Sequence, residues 1–147
     1  MIPAFNDYEC LPEGIYDCTM DEAAERFGVF QSSDRRPQLW AKFIEFMREL
    51  TMCNFIEAVL IDGSFVTDTP EPNDIDLVLV AASSYDFLTD LPPGAYNLLA
   101  HHRVRRQFGF DIVVVRNDSE NFEQAAAFFQ QVKQRPGMKK GILRIEL

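Results

Sequence analysis

Val59–Val80 reads VLIDGSFVTDTPEPNDIDLVLV, and this stretch decides how the rest of the chain is read. The apolar run from Phe55 to Ile61 predicts a strand that delivers the chain to Gly63-Ser64. A turn-rich spacer follows. A second strand then opens on Asp74-Ile75-Asp76 and stays apolar through Leu77, Val78, Leu79 and Val80. Strand side chains alternate between faces, so this reading puts Asp74 and Asp76 on one side of a sheet, about 7 Å apart. Two carboxylates at the mouth of a buried run are unfavourable unless paired. A divalent cation offsets their charge, and Mg²⁺ prefers a few carboxylates completed by water and phosphate oxygens. Gly63 lets the backbone approach a phosphate closely, and Ser64 adds a hydroxyl beside its own N–H. One turn suits phosphate and the neighbouring strand suits metal.

A third carboxylate extends the pattern. Phe108–Val115, FGFDIVVV, sets Asp111 inside another strand-like run. Each piece alone has an ordinary structural reading. Asp-x-Asp opens many strands, Gly-Ser is a common turn, and a lone core acid is often salt-bridged. The order is more specific: apolar strand, Gly-Ser, short spacer, Asp-x-Asp, then apolar–Asp–apolar. That order resembles the nucleotidyltransferase superfamily, which includes DNA polymerase beta, kanamycin nucleotidyltransferase and the minimal bacterial nucleotidyltransferases.

Length and charge bound the rest. A chain of 147 residues fits one domain with a sizeable core. No apolar run approaches the ~20 residues needed to span a membrane, and the first residues do not read as a signal peptide. Cys10, Cys18 and Cys53 lack metal-ligand spacing and read as reduced thiols, which points to the cytoplasm. With His101 and His102 as the only histidines, a zinc site is not expected. The net charge of −9 argues against a nucleic-acid surface. Acids crowd the segment before Arg35, whereas Lys133, Arg135, Lys139, Lys140 and Arg144 make the end basic.

The remaining elements follow from periodicity and caps. Residues 1–18 read as an extended arm. Thr19-Met20-Asp21-Glu22 is a capping box that starts a short helix ending near Gly28. Ser32-Ser33-Asp34 caps a second helix, whose stripe of Leu39, Trp40, Phe43, Ile44, Phe46, Met47 and Leu50 is core packing. Ser83–Leu91 reads as a loop or short helix, broken by Pro92-Pro93-Gly94. Ala95–Gln107 reads as a single helix whose last-turn arginines suit the helix dipole. Asn117-Asp118-Ser119 leads into a helix reaching Val132, and Gly141–Leu147 closes the chain as a strand. The expected fold is α+β: a small mixed sheet carrying the acids, with helices packed mainly on one face.

The whole chain also looks like a family of short prokaryotic nucleotidyltransferase-like proteins, through IPAFN, LPEGIY, DEAAERFG, IDGSFVTDTPEPNDIDL and KKGILRIEL. Members of that family often carry a lysine near the position of Thr69, where this chain has no basic residue in the spacer. The resemblance implies a polymerase beta-like fold in which Asp74, Asp76 and Asp111 hold two Mg²⁺ ions, or Mn²⁺, as the catalytic acids. Asp111 would also orient or deprotonate the attacking hydroxyl. Gly63 and Ser64 would grip the phosphates of a nucleoside triphosphate, and Lys139, Lys140 and Arg144 are candidates to offset their charge. The implied reaction moves a nucleoside monophosphate, AMP in the first instance, to a hydroxyl on a protein or small molecule. Two other readings stay open: an antitoxin-like binding protein that keeps the fold without catalysis and pairs with a toxin, and a nucleotide or metal sensor. The chain does not read as the ribonuclease toxin of such a pair, because both histidines precede Arg103.

Overall fold

The computed structural model describes residues 1–29, 33–86, 88, 93–117, 119–132 and 135–147. Ser32, Leu91, Pro92, Asp118 and Lys133, named above, lie outside the described residues. The chain forms an α+β domain around one mixed five-stranded sheet. In chain order, β1 is Gly14–Asp17, α1 Met20–Phe27, α2 Arg35–Leu50, β2 Ile56–Asp62 and β3 Asp76–Ala81. Then come α3 Pro93–Leu99, α4 His101–Phe108, β4 Asp111–Arg116, α5 Glu120–Phe129 and β5 Gly141–Glu146. A 3-10 turn, Ser64–Val66, follows β2. The sheet order is β1-β5-β2-β3-β4, with β2 antiparallel to β3 and β5, and the pairs β1–β5 and β3–β4 parallel.

Every residue of β3 after Asp76 is buried, which requires cover on both faces of the sheet. One face packs Val59, Ile61, Leu77, Leu79 and Leu143 against the stripe of α2 and buried residues of α1, α3 and α4. The other packs Leu60, Val78, Val80 and Val115 against α5 through Ala126 and Phe122. Among the described residues, four helices on one face and one on the other match the expected layering.

Several boundaries differ from the sequence reading, each for a local reason. The N-terminal arm is not merely extended: Gly14–Asp17 adds a parallel strand to β5. Leu11 is buried and its carbonyl accepts the Gly141 N–H at 2.9 Å. Ala95–Gln107 is two helices, because Ala100 adopts an extended conformation (φ −86°, ψ 112°) between them. Pro93 opens α3 rather than breaking the chain there. Asp74 lies outside β3, which begins at Asp76. The Thr19–Glu22 capping box forms with both reciprocal bonds present. At α2, Asp34 occupies the cap position without a side-chain cap bond, and Ser33 Oγ accepts the Arg35 N–H instead.

The 65–73 spacer is held by two arginines from the first turn of α2. Arg35 donates to the carbonyls of Pro72 (2.9 Å) and Asn73 (2.8 Å). Arg36 is only 1% exposed and donates to the carbonyls of Phe27, Phe65, Thr67 and Thr69. Its guanidinium lies 5.4 Å from the Phe65 ring centroid. The planar fork suits this task, since its N–H groups reach several carbonyls at fixed angles. Burial pushes the Arg36 pKa below its ordinary value. Arg36→Met should therefore lower stability by about 2–5 kcal/mol, because buried carbonyls lose their donors. Lys42→Met, at an exposed site of the same helix, should stay within about 0.5 kcal/mol. Urea unfolding of the two variants beside the wild type checks both values; equal effects would remove Arg36 from this role.

Candidate active site

The site begins where three strands end together. Asp62 is the register partner of Asp76, and Asp76 is the register partner of Asp111. Register partners on neighbouring strands project to the same face, with strands about 4.8 Å apart. A row of three carboxylates thus crosses β2, β3 and β4 on one rung. Their depth falls along the row: the Asp62 side chain is 7% exposed, and that of Asp111, on the edge strand, is 43%.

Asp74 joins the rung by a different route from the one expected. It is not brought in by strand alternation, because β3 has not yet begun. Instead its Oδ1 accepts hydrogen bonds from the Ser64 N–H (3.0 Å) and the Ser64 hydroxyl (2.9 Å). The same hydroxyl accepts from the Asn73 N–H at 2.9 Å and the Asp74 N–H at 3.3 Å. Gly63 makes this closure possible. Its φ is +93°, and a Cβ there would stand 3.0 Å from the Asp74 carbonyl oxygen and 3.1 Å from the Asp76 nitrogen. The Gly-Ser turn and the Asp-x-Asp segment are therefore one hydrogen-bonded unit.

Buried aromatics next to Ser64 and Asp111 hold the frame. Phe65 follows Ser64 and stacks on Trp40 of α2, with centroids 6.1 Å apart. Phe110 precedes Asp111 and meets Phe43 and Phe46 edge-on. The stripe on α2 thus anchors both the phosphate-suited turn and the third acid.

Each end of the rung carries a cation. Lys140 Nζ lies 2.8 Å from Asp62 Oδ1, both largely buried, in an ion contact whose direction does not make a well-formed hydrogen bond. Arg105 of α4 pairs with Asp111, and His101 Nε2 lies 3.4 Å from the same oxygen. The Arg105 pKa is raised, first by its hydrogen bond and charge pairing with Asp111 and then by Asp76 and Asp74. Arg105 therefore feels all three of the acids singled out from sequence.

The predicted residues divide accordingly. Gly63, Ser64, Asp74, Asp76 and Asp111 come together, with Lys140 at the buried end. Arg144 does not join them. It is the register partner of Leu60, back along β2 from Ser64, and its guanidinium lies within 4.0 Å of Asp17 and Glu146. Lys139 faces Glu13 at 3.7 Å. Asp62, Arg105 and His101 were missed. Asp62 closes an apolar run and passes for its end. Arg105 was assigned to the helix dipole, and in the last turn of α4 it also pairs with Asp111.

Among the described residues, no three His, Cys, Asp or Glu side chains stand in a metal-holding arrangement. Asp74 is turned onto Ser64 and Asp111 onto Arg105. The donor set still suits Mg²⁺, being all carboxylate oxygens on one rung beside a turn with N–H and O–H groups. A cation would have to take over from the present partners of these acids.

Burial pushes the Asp62 pKa up; Lys140 and the Gly63 N–H pull it back, and Asp74 adds to the rise. A carboxyl whose folded pKa is raised contributes stability at low pH, and that contribution fades as pH rises through the folded value. Lys140→Met removes the main opposing charge, leaving a buried anion unpaired. Its deficit should be about 3–5 kcal/mol at pH 8 and should shrink as Asp62 takes up a proton toward pH 4. Denaturant melts at both pH values check this; a deficit independent of pH would contradict it. Adding Asp62→Asn to Lys140→Met should flatten the difference.

No curated protein and no solved structure matches the chain. A family model described as a family of unknown function (DUF6932) matches residues 3–146, and the chain belongs to that family.

Proposed function

We propose that the chain is a Mg²⁺-dependent nucleotidyltransferase acting in the cytoplasm, with Mn²⁺ as a substitute. It moves a nucleoside monophosphate, AMP in the first instance, from a nucleoside triphosphate to a hydroxyl on a protein or small molecule. The observation that carries the reading is the register Asp76↔Asp111, with Asp74 and Ser64 hydrogen-bonded at the same end of the sheet. The resemblance in sequence order adds to it. A polymerase beta-like fold is part of the same proposal.

In this reading Gly63 and Ser64 take the β and γ phosphates through the backbone N–H groups and the hydroxyl. Asp74, Asp76 and Asp111 would hold the metal ions, which when bound offset the charge of the incoming and leaving oxygens. Asp111, on the edge strand with its side chain 43% exposed, accepts the proton of the attacking hydroxyl. The acceptor oxygen bonds to the α-phosphorus, the bond to the bridging oxygen breaks, and pyrophosphate leaves. Positioning and charge supply most of the acceleration, and the rigid aromatic frame under Phe65 and Phe110 suits that demand.

One observation favours the second reading, an antitoxin-like partner that binds without catalysis. Ser64 and Asp111 are both satisfied by the chain itself, so the arrangement closes without a ligand.

Transfer of label from α-labelled ATP separates the two readings. Wild type should label an acceptor in a lysate containing its gene neighbour's product. Asp111→Asn should cut transfer by about 10²–10⁴-fold, the range of general-base catalysis, while keeping part of the Mg²⁺–ATP binding. Mg²⁺ with ATP should also raise the melting temperature of wild type by mass action. No transfer from any of the four ribonucleotides with either metal, beside partner capture that survives Asp74→Asn, Asp76→Asn and Asp111→Asn, would leave the binding protein standing.

A further inference from the structure

Of the three cations assigned to the triphosphate from sequence, Lys139 faces Glu13, Arg144 lies away from Ser64 and Lys140 is held by Asp62 in the interior. A polyphosphate entering this site therefore lacks the partners that composition suggested. Among the described residues, Arg105 is the further cation shown paired with an acid of the rung. Its side chain is 60% exposed, and it projects from α4, whose buried face is fixed through Val104 and Phe108. A long side chain on a fixed helix can leave one oxygen for another by rotamer change alone, with no movement of the backbone.

We infer that Arg105 is the phosphate-binding residue of the site and that, without ligand, it is parked on Asp111 in the place a metal ion takes. The inference rests on the nucleotidyltransferase reading and names the residue that couples its metal and its nucleotide. Arg105 is ion-paired with Asp111, the acid of the rung on the edge strand, and so occupies it with positive charge as a bound cation would. Metal and guanidinium compete for the same carboxylate oxygen. When metal wins, the freed fork stands beside the incoming phosphates, which it matches bidentately. His101, against the same Asp111 oxygen, is a second occupant of the parking position. One residue thus opposes metal alone and favours metal together with nucleotide.

Those opposite signs make the test. Mn²⁺ binding to the full-length chain is measured by electron paramagnetic resonance without nucleotide, and ATP binding by calorimetry with Mn²⁺ saturating. Arg105→Gln should bind Mn²⁺ alone several-fold more tightly than wild type, because a competitor is gone. The same variant should bind ATP about 10-fold more weakly, because a phosphate partner is gone. Arg105→Lys keeps the charge without the fork and should fall between. Arg106→Gln, an exposed neighbour on α4, should change each constant by less than about twofold and controls for bulk charge. If wild type binds both ligands and Arg105→Gln weakens both, or alters neither, the exchange is overturned while the nucleotidyltransferase reading stands. Wild type that binds neither Mn²⁺ nor Mn²⁺–ATP at millimolar concentration overturns both together.

Discussion

A single buried guanidinium sets the geometry on which the candidate site depends. Arg36 enters the interior from the first turn of α2 and finds carbonyl oxygens on both sides of it, from the end of α1 and from the 65–69 spacer. Beyond the Ser64–Val66 3-10 turn the spacer has no helix or strand of its own to satisfy those carbonyls, and a segment crossing near the core must pair them somehow. By collecting them, Arg36 gives an irregular stretch one conformation. That conformation returns the chain to Asp74 at the distance where Ser64 can hold its carboxylate. Arg36 approaches the spacer from beneath, through the Thr69 carbonyl.

Above that frame, charge is arranged by sheet register. Antiparallel and parallel pairing meet at β3, so one rung carries Asp62, Asp76 and Asp111 side by side. Like charges at this spacing repel, more strongly where water is scarce. Lys140 and Arg105 relieve the repulsion from the two ends. The chain is strongly acidic, and it nevertheless brings basic side chains to this rung from two distant segments, α4 and the approach to β5.

Much of this was legible in the sequence, and the rest was hidden for identifiable reasons. Apolar runs and the α2 stripe predicted β2, β3, β4, β5 and the core face, because burial imposes period and composition directly. The Gly63–Ser64, Asp74, Asp76 and Asp111 group was found because glycine and acids stand out against apolar neighbours. Asp74 was assigned to the strand because alternation was applied one step too far; its position follows from hydrogen bonds to Ser64 across the spacer, which no local pattern encodes. Asp62 was invisible for a related reason. Its burial follows from pairing with Lys140, a contact between residues far apart in the chain. The arginines were harder to place: no pattern singled out Arg36, Arg105 read as a dipole partner, and Arg144 read as a phosphate ligand. A long flexible cation can serve at any point within its reach, so its role is set by the fold around it.

The two ends of the rung differ in a way that bears on function. At the Asp62 end both partners are largely buried, and separating them would strand a charge in the interior. That pair is a permanent part of the frame, and it keeps the neighbouring turn and β3 at fixed distance. At the Asp111 end the partners are about half exposed, so their attraction is screened and water can replace either one. An ion pair of that kind contributes little to stability and exchanges readily. The fixed end lies where β2 runs into the Gly63–Ser64 turn, and the exchangeable end lies on the edge strand β4, open to solvent. The proposed transferase would hold one reactant at the rigid end and admit the other at the end that can give way.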